Sequence, residues 1–236
     1  MWINSIKHHF LIPLMESVYP RVCAACNFPL MIQESVICNA CFYRLPKTNF
    51  HQETDNALEK IFWGRLPLFH AAAYLYFRKK GKVQHLLHQL KYKGLKEVGF
   101  EVGKRYGKIL KESAHFQNID LIIPVPLHPA KLIKRGYNQS EWFGLGLQES
   151  WGIPISITHL TKTENTQTQT KKNRYQRWEN VETVFSINES ETLKNKNVLL
   201  IDDVITTGST IESCGSLLVS SGINSLSLAC IAAPIR

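Results

Sequence analysis

The stretch NVLLIDDVITTGSTI, residues 197–211, decides how the rest of the chain is interpreted. Its residues 198–201 form an unbroken apolar run, which is typical of a strand buried on both faces of a parallel sheet. The run ends at two adjacent carboxylates, Asp202 and Asp203, and small residues with one glycine then lead into a helix near Ile211. The pattern predicts an α/β fold in which helices flank a parallel sheet.

A turn of this kind is suited to a phosphate, because its backbone N–H groups point into one space at the positive end of the helix dipole. The lysine of a Walker loop and the glycines of a dinucleotide-binding turn are both absent here. Carboxylates placed before the turn can accept hydrogen bonds from vicinal hydroxyls or hold a hydrated Mg²⁺. The combination indicates a ribose 5-phosphate ligand. The alternative is a solvated strand end followed by an ordinary helix cap.

Residues 200–210, LIDDVITTGST, resemble the phosphoribosyl pyrophosphate (PRPP) motif of type I phosphoribosyltransferases. The order of the motifs along the chain is similar to the ComF family of competence proteins, which is related to GntX. The resemblance implies binding of PRPP with Mg²⁺, and it implies that Asp202 and Asp203 are catalytic carboxylates on the ribose hydroxyls. The residues that it places around the 5-phosphate are Val204, Thr206, Thr207, Gly208, Ser209 and Thr210.

Two Cys-x-x-Cys pairs, separated by eleven residues, lie near the amino terminus. Each pair can offer two thiolates to one tetrahedral ion, so structural Zn²⁺ is the preferred interpretation, with two disulfides or a redox pair as alternatives. A ComF-type protein is expected to carry a similar four-cysteine finger ahead of its transferase domain. The proposed ligands are Cys23, Cys26, Cys38 and Cys41.

A second buried strand is predicted over residues 119–126, and its carboxyl end should lie beside that of the predicted strand at 198–201. The loop after it resembles the pyrophosphate loop of phosphoribosyltransferases, and residues 134–139, KRGYNQ, match a ComF signature. The long polar segment at 163–177 is interpreted as a lid that closes over leaving pyrophosphate. Pyrophosphate contacts are therefore assigned to Leu127, His128, Arg135, Asn138, Arg174 and Arg177. A basic turn before a helix is the alternative for residues 134–139.

The chain carries a formal net charge of +9, and the segment 78–111 accounts for an excess of that size, with eleven basic and two acidic residues. Such a segment suits a polyanion, and Tyr92, Tyr106 and Tyr137 offer stacking surfaces for single-stranded DNA. A lysine-rich helix face that only keeps the protein soluble is the alternative. The residues assigned to nucleic acid are Lys91, Lys93, Lys96 and Arg105.

Three regions are expected: a finger module at 1–46, a linker at 47–70 and the transferase-like domain at 71–236. A further strand is predicted at 153–160. The chain has no apolar run of the roughly 18 residues that a membrane helix needs, and its amino terminus lacks a signal-peptide pattern. The chain is therefore expected to be cytoplasmic, without insertion into a membrane.

The resemblance implies a role in DNA uptake during natural transformation, with a helicase or channel of the uptake machinery as a partner. Two functions remain open on the sequence. One is a phosphoribosyltransferase whose acceptor no residue identifies. The other is a single-stranded DNA-binding competence factor in which the PRPP site is regulatory, since this fold also supports proteins that bind PRPP as a signal.

Overall fold

The computed structural model describes residues 20–162 and 185–234. Its centre is a four-stranded sheet in the order β1-β6-β5-β2, in which every neighbouring pair is parallel. The strand bounds are β1 His70–Phe77, β2 Leu121–Pro124, β3 Leu160–Lys162, β4 Phe185–Ile187, β5 Asn197–Val204 and β6 Ser225–Pro234. The α/β prediction is confirmed, and the apolar run at 198–201 is fully buried in the middle of the sheet.

Helices pack against this sheet, and a further short helix lies in the amino-terminal finger. Their bounds are α1 Asn39–Arg44, α2 Lys82–Tyr92, α3 Glu97–Glu112, α4 Pro129–Arg135, α5 Gln139–Trp151 and α6 Ser209–Ser220. Within the described ranges, short 3-10 turns lie at Glu59–Ile61, Ala114–Phe116 and Ser190–Leu193. The apolar faces of α2 and α3 are buried at the positions that helical periodicity predicts.

Helices α3 and α5 approach each other unusually closely because glycines lie where they cross. A Cβ atom added to Gly103 would lie 2.1 Å from the carbonyl oxygen of Phe143, and one added to Gly146 would lie 2.1 Å from that of Phe100. No side chain can occupy that space, so the two backbones are in direct contact. This contact fixes the start of α5, which faces the end of β5.

The expected strand at 153–160 is largely wrong. Ile155 makes one isolated bridge to Ile122, and only Leu160 belongs to a strand, the short antiparallel pair β3-β4. Pro154 offers no N–H group to a ladder, although its carbonyl accepts from the N–H of Ile122 at 2.9 Å. Alternation of apolar residues alone could not reveal this.

The segment 47–70, expected to be a loose linker, is packed onto the sheet instead. Phe50, Leu58 and Phe62 are buried, and the side-chain amide of Asn56 donates to the carbonyl of Ala71 at 2.8 Å. Its polar residues thus form internal hydrogen bonds that replace regular secondary structure. The segment belongs to the folded body of the protein.

No helix in the ranges 20–162 and 185–234 is long and apolar enough to cross a membrane.

Candidate functional site

The two carboxylates of the PRPP-like motif lie at the carboxyl edge of the sheet. Asp202 and Asp203 are near the end of β5, and β2 ends beside them, with Pro124 paired to Ile201. Carboxyl ends of parallel strands are where open α/β sheets bind ligands. The predicted proximity of these two strand ends is confirmed.

Asp202 is turned into the protein and is held by two donors. Its Oδ1 accepts from the hydroxyl of Ser140 and from the backbone N–H of Asp203, each at 2.8 Å. Burial and the neighbouring charge of Asp203 raise the pKa of Asp202 to about 7, although the two hydrogen bonds and Lys91 oppose the shift. Asp202 is therefore poised to change its protonation state near neutral pH.

Asp203 has a different partner. Its Oδ2 lies 2.9 Å from the ammonium nitrogen of Lys91, which comes from the carboxyl end of α2. Asp203 is 8% exposed, so Lys91 offsets much of the cost of burying its charge. Any ligand that uses the Oδ2 atom of Asp203 has to replace or share Lys91.

The turn after β5 presents small polar residues at the start of a helix. Gly208 has φ of +80°, which brings the chain into α6 at Ser209. The side chains of Thr206, Thr207, Ser209 and Thr210 are exposed, while Val204 is half-buried and Gly208 is buried. The turn and the first residues of α6 thus combine exposed hydroxyls, of which those of Thr207 and Ser209 lie 3.2 Å apart, with the positive end of a helix dipole.

Phe62 and Arg65, which the sequence did not connect with the site, pack against the outer side of this turn. A Cβ atom on Gly208 would lie 2.7 Å from Cε1 of Phe62. Arg65 donates from Nη1 to the carbonyl of Thr207 at 3.0 Å and from Nε to Glu212 at 3.1 Å. Residues of the expected linker therefore hold the outer side of the turn in position.

The residues assigned to the pyrophosphate loop have several different surroundings. His128 caps α4 by accepting at Nδ1 from the N–H of Ala130 at 3.2 Å. Asn138 is buried, caps α5 by accepting from the N–H of Ser140 at 3.1 Å, and donates to the carbonyl of Val125 at 3.0 Å. Asn138 thus caps α5 and ties its start to the end of β2, while its assignment to pyrophosphate stays a prediction.

Leu127, just before α4, and Arg135, the last residue of α4, are half-buried, and Arg135 donates to Gln139. Arg174 and Arg177, assigned to the lid, lie outside the described residues.

The residues assigned to nucleic acid have different neighbours. Lys91 pairs with Asp203, Lys96 lies 4.4 Å from the ring centre of Trp142, and Arg105 lies 3.8 Å from that of Phe42. Lys93 is exposed just after α2. The expectation that Tyr106 stacks on a base is wrong, because Tyr106 is fully buried between α3 and the sheet.

Tyr137 is also half-buried, and its hydroxyl donates to the carbonyl of Leu90. Tyr92, which is 67% exposed, remains available among the three tyrosines.

The four cysteines of the finger converge. Their Sγ atoms all lie within 4.8 Å of one another, and those of Cys26 and Cys38 are 3.9 Å apart. Tetrahedral Zn–S bonds of about 2.3 Å place sulfurs roughly 3.8 Å apart, so this arrangement can hold a metal such as zinc. None of the four is in a disulfide.

Backbone N–H groups favour the thiolate of Cys23, whereas burial raises the pKa of Cys38 and of Cys41. Burial raises the pKa of Cys23, but N–H donors from Cys38, Ala25 and Cys26 outweigh it and lower the pKa to about 7. Lys82 adds an ammonium group 3.7 Å from the sulfur of Cys41. A cluster with such donors is suited to bind a cation.

Comparison with protein families identifies a phosphoribosyl transferase domain over residues 152–236. The DNA utilization protein YhgH of Escherichia coli (strain K12) is 26% identical over 231 residues, which cover 90% of this chain and 96% of that protein. Competence protein F of Haemophilus influenzae is 33% identical over 108 residues, or 45% of this chain and 47% of that protein. Competence protein ComFC of Streptococcus pneumoniae is 33% identical over 123 residues, 52% of each chain. The resemblance to ComF-type proteins is confirmed.

Among solved structures, the allosteric regulatory enzyme of purine biosynthesis aligns with 57% of this chain and 26% of its own, at 20% identity and a TM-score of 0.41. A hypoxanthine phosphoribosyltransferase from Staphylococcus aureus aligns with 61% of this chain and 69% of its own, at 21% identity and a TM-score of 0.37. At these scores the structural likeness carries no conclusion about function.

Proposed function

From the phosphoribosyl transferase domain of this chain and its relationship to competence protein F, ComFC and YhgH, we propose that it binds a ribose 5-phosphate ligand of the PRPP type with Mg²⁺. Its relatives support a role in competence or DNA utilization. The ligand site is the edge formed by Asp202, Asp203 and the turn at 204–210, and the protein acts in the cytoplasm.

The arrangement of Asp202, Asp203 and the following turn carries this proposal. A 5-phosphate fits the N–H groups at the start of α6, where the helix dipole and exposed hydroxyls favour an anion. The ribose hydroxyls then face Asp203, a carboxylate with two acceptor oxygens. Ser140 orients Asp202 from behind, through the 2.8 Å hydrogen bond to Oδ1.

As a transferase, the protein would stabilise positive charge at C1 of the ribose as pyrophosphate leaves, and the two carboxylates supply negative charge on that side. Mg²⁺ bound with PRPP would offset the charge of the diphosphate. The described residues offer no group placed as the nucleophile, which has to come from an acceptor. The alternative is that the site binds PRPP as a regulatory signal in a protein that handles single-stranded DNA.

We also propose that the four cysteines hold a structural Zn²⁺. Four thiolates complete a tetrahedral sphere and leave no open position for a catalytic water. Zinc would therefore stabilise the finger. Metal analysis of freshly purified protein should find one zinc per chain, and protein without bound zinc would refute the proposal.

Calorimetric titration with ribose 5-phosphate and Mg²⁺ tests the ligand proposal. Wild type should bind, and Asp203→Asn should weaken binding at least tenfold because a neutral amide attracts neither hydroxyl donors nor a cation as strongly. The matched control is Asp120→Asn at the opposite edge of the sheet, where Asp120 accepts from the N–H of Asn197 at 2.8 Å. Equal affinity in wild type and Asp203→Asn would refute the proposed site.

Release of pyrophosphate from PRPP separates the two alternatives. A transferase should release it faster than its Asp202→Asn variant when an acceptor is present. Binding of PRPP without release favours the regulatory function.

A further inference from the structure

A cationic cavity of about 420 Å³ lies next to the carboxylate site, between the end of α2 and the short helix α4. Its lining residues are Lys91, Tyr92, Gly94, Lys131, Lys134 and Arg135. Four of these six carry a positive charge and none carries a negative one. A concave space with this lining attracts phosphates.

The cations on α4 are available to a ligand. Lys131, Lys134 and Arg135 have helical spacings of three and four residues, so they share one face. Within the described parts of the chain, Lys131 and Lys134 are exposed and none of the three forms an ion pair. Their charges therefore face solvent and the cavity without an ion-pair partner among the described residues.

Tyr92 adds a stacking surface to these charges. Its side chain is 67% exposed, and the guanidinium carbon of Arg135 lies 5.6 Å from the centre of its ring. An exposed aromatic ring beside a row of cations is the combination with which proteins bind single strands, since the ring stacks on a base while the cations contact phosphates.

Lys91 belongs to both sites, because it lines the cavity and also lies 2.9 Å from Oδ2 of Asp203. We propose that the cavity binds consecutive phosphates of single-stranded DNA with a base on Tyr92, and that Lys91 couples this site to the ribose-phosphate site. The coupling rests on the proposed function of Asp203.

The direction of the coupling follows from charge. A ribose ligand with Mg²⁺ occupies the oxygens of Asp203 and releases the ammonium group of Lys91 toward the cavity, which raises the positive charge that faces DNA. By thermodynamic reciprocity, DNA that engages Lys91 must strengthen ribose-phosphate binding by the same factor. Ribose 5-phosphate is the suitable probe because it has no diphosphate that could itself enter the cavity.

The experiment measures binding of a fluorescently labelled oligothymidylate by anisotropy, with and without ribose 5-phosphate and Mg²⁺. For wild type we expect the sugar phosphate to tighten DNA binding about fivefold, the lower end of typical allosteric coupling. Lys131→Gln should weaken DNA binding and reduce the salt dependence by roughly one unit of slope while it keeps the coupling.

Lys91→Met should abolish the coupling. The control Lys194→Gln removes a surface lysine that pairs with Glu191 elsewhere, and it should change neither quantity.

A stacking role for Tyr92 predicts that Tyr92→Ala weakens DNA binding and that Tyr92→Phe restores it. Equal affinity for duplex and single-stranded DNA would overturn the proposed strand site. Displacement of the oligonucleotide by micromolar pyrophosphate, at constant ionic strength, would assign the cavity to the diphosphate of the sugar ligand and would also overturn it.

Three results would overturn the coupling: competition between the sugar phosphate and DNA, unchanged DNA affinity when the sugar phosphate is bound, or coupling that persists in Lys91→Met. Calorimetry distinguishes these from failure of the proposed function. If ribose 5-phosphate does not bind in the absence of DNA, the function proposed for Asp203 fails and the coupling fails with it, whereas the anisotropy titration still tests the DNA site.

Discussion

Asp202 and Asp203 are adjacent in sequence, but their carboxylates have different surroundings. Asp202 is half-buried, and desolvation together with the charge of its neighbour raises its pKa to about 7, whereas Asp203 is buried and paired with Lys91. A raised pKa on one of two neighbouring acids is frequent at functional sites. The pair can accordingly change its total charge near neutral pH.

The stability of the protein should report the raised pKa of Asp202. Its folded-state pKa of about 7 exceeds the ordinary value of 3.8, so the folded protein binds the proton more tightly than the unfolded chain. The contribution of Asp202 to the free energy of unfolding must then fall as pH rises from about 4 to about 7. Asp202→Asn should remove that loss, so its advantage over wild type in urea denaturation should grow between pH 5 and pH 8.

Ser140→Ala provides a matched variant. It removes a hydrogen bond that favours the ionised form of Asp202, so the loss of stability with rising pH should become larger than in wild type. An advantage of Asp202→Asn that shrinks with rising pH would contradict the assignment.

Gly208 lies in the turn at 204–210, and a comparison with Gly64 distinguishes the cost of a left-handed backbone from the cost of steric contact. Both have positive φ, of +80° and +71°, but a Cβ atom would meet Phe62 at 2.7 Å from Gly208 and nothing within 4 Å from Gly64. Gly64→Ala should cost roughly 1–2 kcal/mol of unfolding free energy, from the left-handed backbone alone. Gly208→Ala should cost more and should also weaken ribose-phosphate binding. Equal losses, measured by urea denaturation, would show that Phe62 does not constrain the turn.

Sequence reasoning found the residues of the site that share one motif and missed those that come from elsewhere. The acids and the turn at 204–210 follow one another in the chain, so a single pattern identified them. Ser140, Lys91 and Arg65 reach the site from other elements. No local pattern could indicate that the hydroxyl of Ser140 meets Asp202.

Among the elements, α3 and α5 show how small residues position the site. Gly99, Gly103 and Gly107 recur at every fourth residue of α3, and the close approach they permit places the start of α5 beside β5. The prediction of α3 relied on its apolar residues and gave no role to these glycines. Spacing of four among glycines in a helix was the available signal, since it marks a face without side chains.

Gly103→Ala should disrupt this contact. Its Cβ would lie 2.1 Å from the carbonyl oxygen of Phe143, a backbone atom that can move only with the whole helix. We expect a loss of roughly 1–3 kcal/mol, as for other overpacked cores. Gly99→Ala is the control, because its nearest contacts are at 3.3 Å and alanine favours a helix. Thermal denaturation of both variants measures the difference, and equal melting temperatures would contradict the account.

At the scale of the whole molecule, the finger is attached to the domain that carries the site. Arg105 of α3 stacks on Phe42 of the finger and donates to the side chain of Asn39 at 3.3 Å, while Lys82 of α2 approaches Cys41. Buried residues of the finger continue into the same apolar core as the sheet. Unfolding of the finger should therefore lower the stability of the rest of the protein.

Removal of the metal should lower the stability of the entire chain. We expect a chelator, or Cys38→Ser, to reduce the melting temperature and to make the finger sensitive to proteolysis, because four uncompensated thiols cannot replace metal bonds. Cys214→Ser is the control, since Cys214 lies in the core away from the cluster and should leave the zinc content unchanged. A melting temperature that chelation does not alter would contradict a structural metal.

The expectation of a loose linker at 47–70 disagrees with the packing of these residues, while the division of the chain into three regions stays a prediction. Residues 47–70 are rich in polar side chains, and composition suggested a loose connection. The buried side chains of Phe62 and Leu66 instead pack against the turn at 204–210 and against α6. Phe62 and Leu66 are four residues apart, as on one face of a helix, but the polar composition of the surrounding segment masked this spacing.

A crystal structure with ribose 5-phosphate and Mg²⁺ is the most direct test of the central claim. The account predicts the 5-phosphate against the backbone N–H groups of residues 206–210 and the ribose hydroxyls within hydrogen-bond distance of Asp203, with Lys91 moved away from that carboxylate. A sugar phosphate bound in the Lys91–Arg135 cavity, with Asp203 still paired to Lys91, would contradict it.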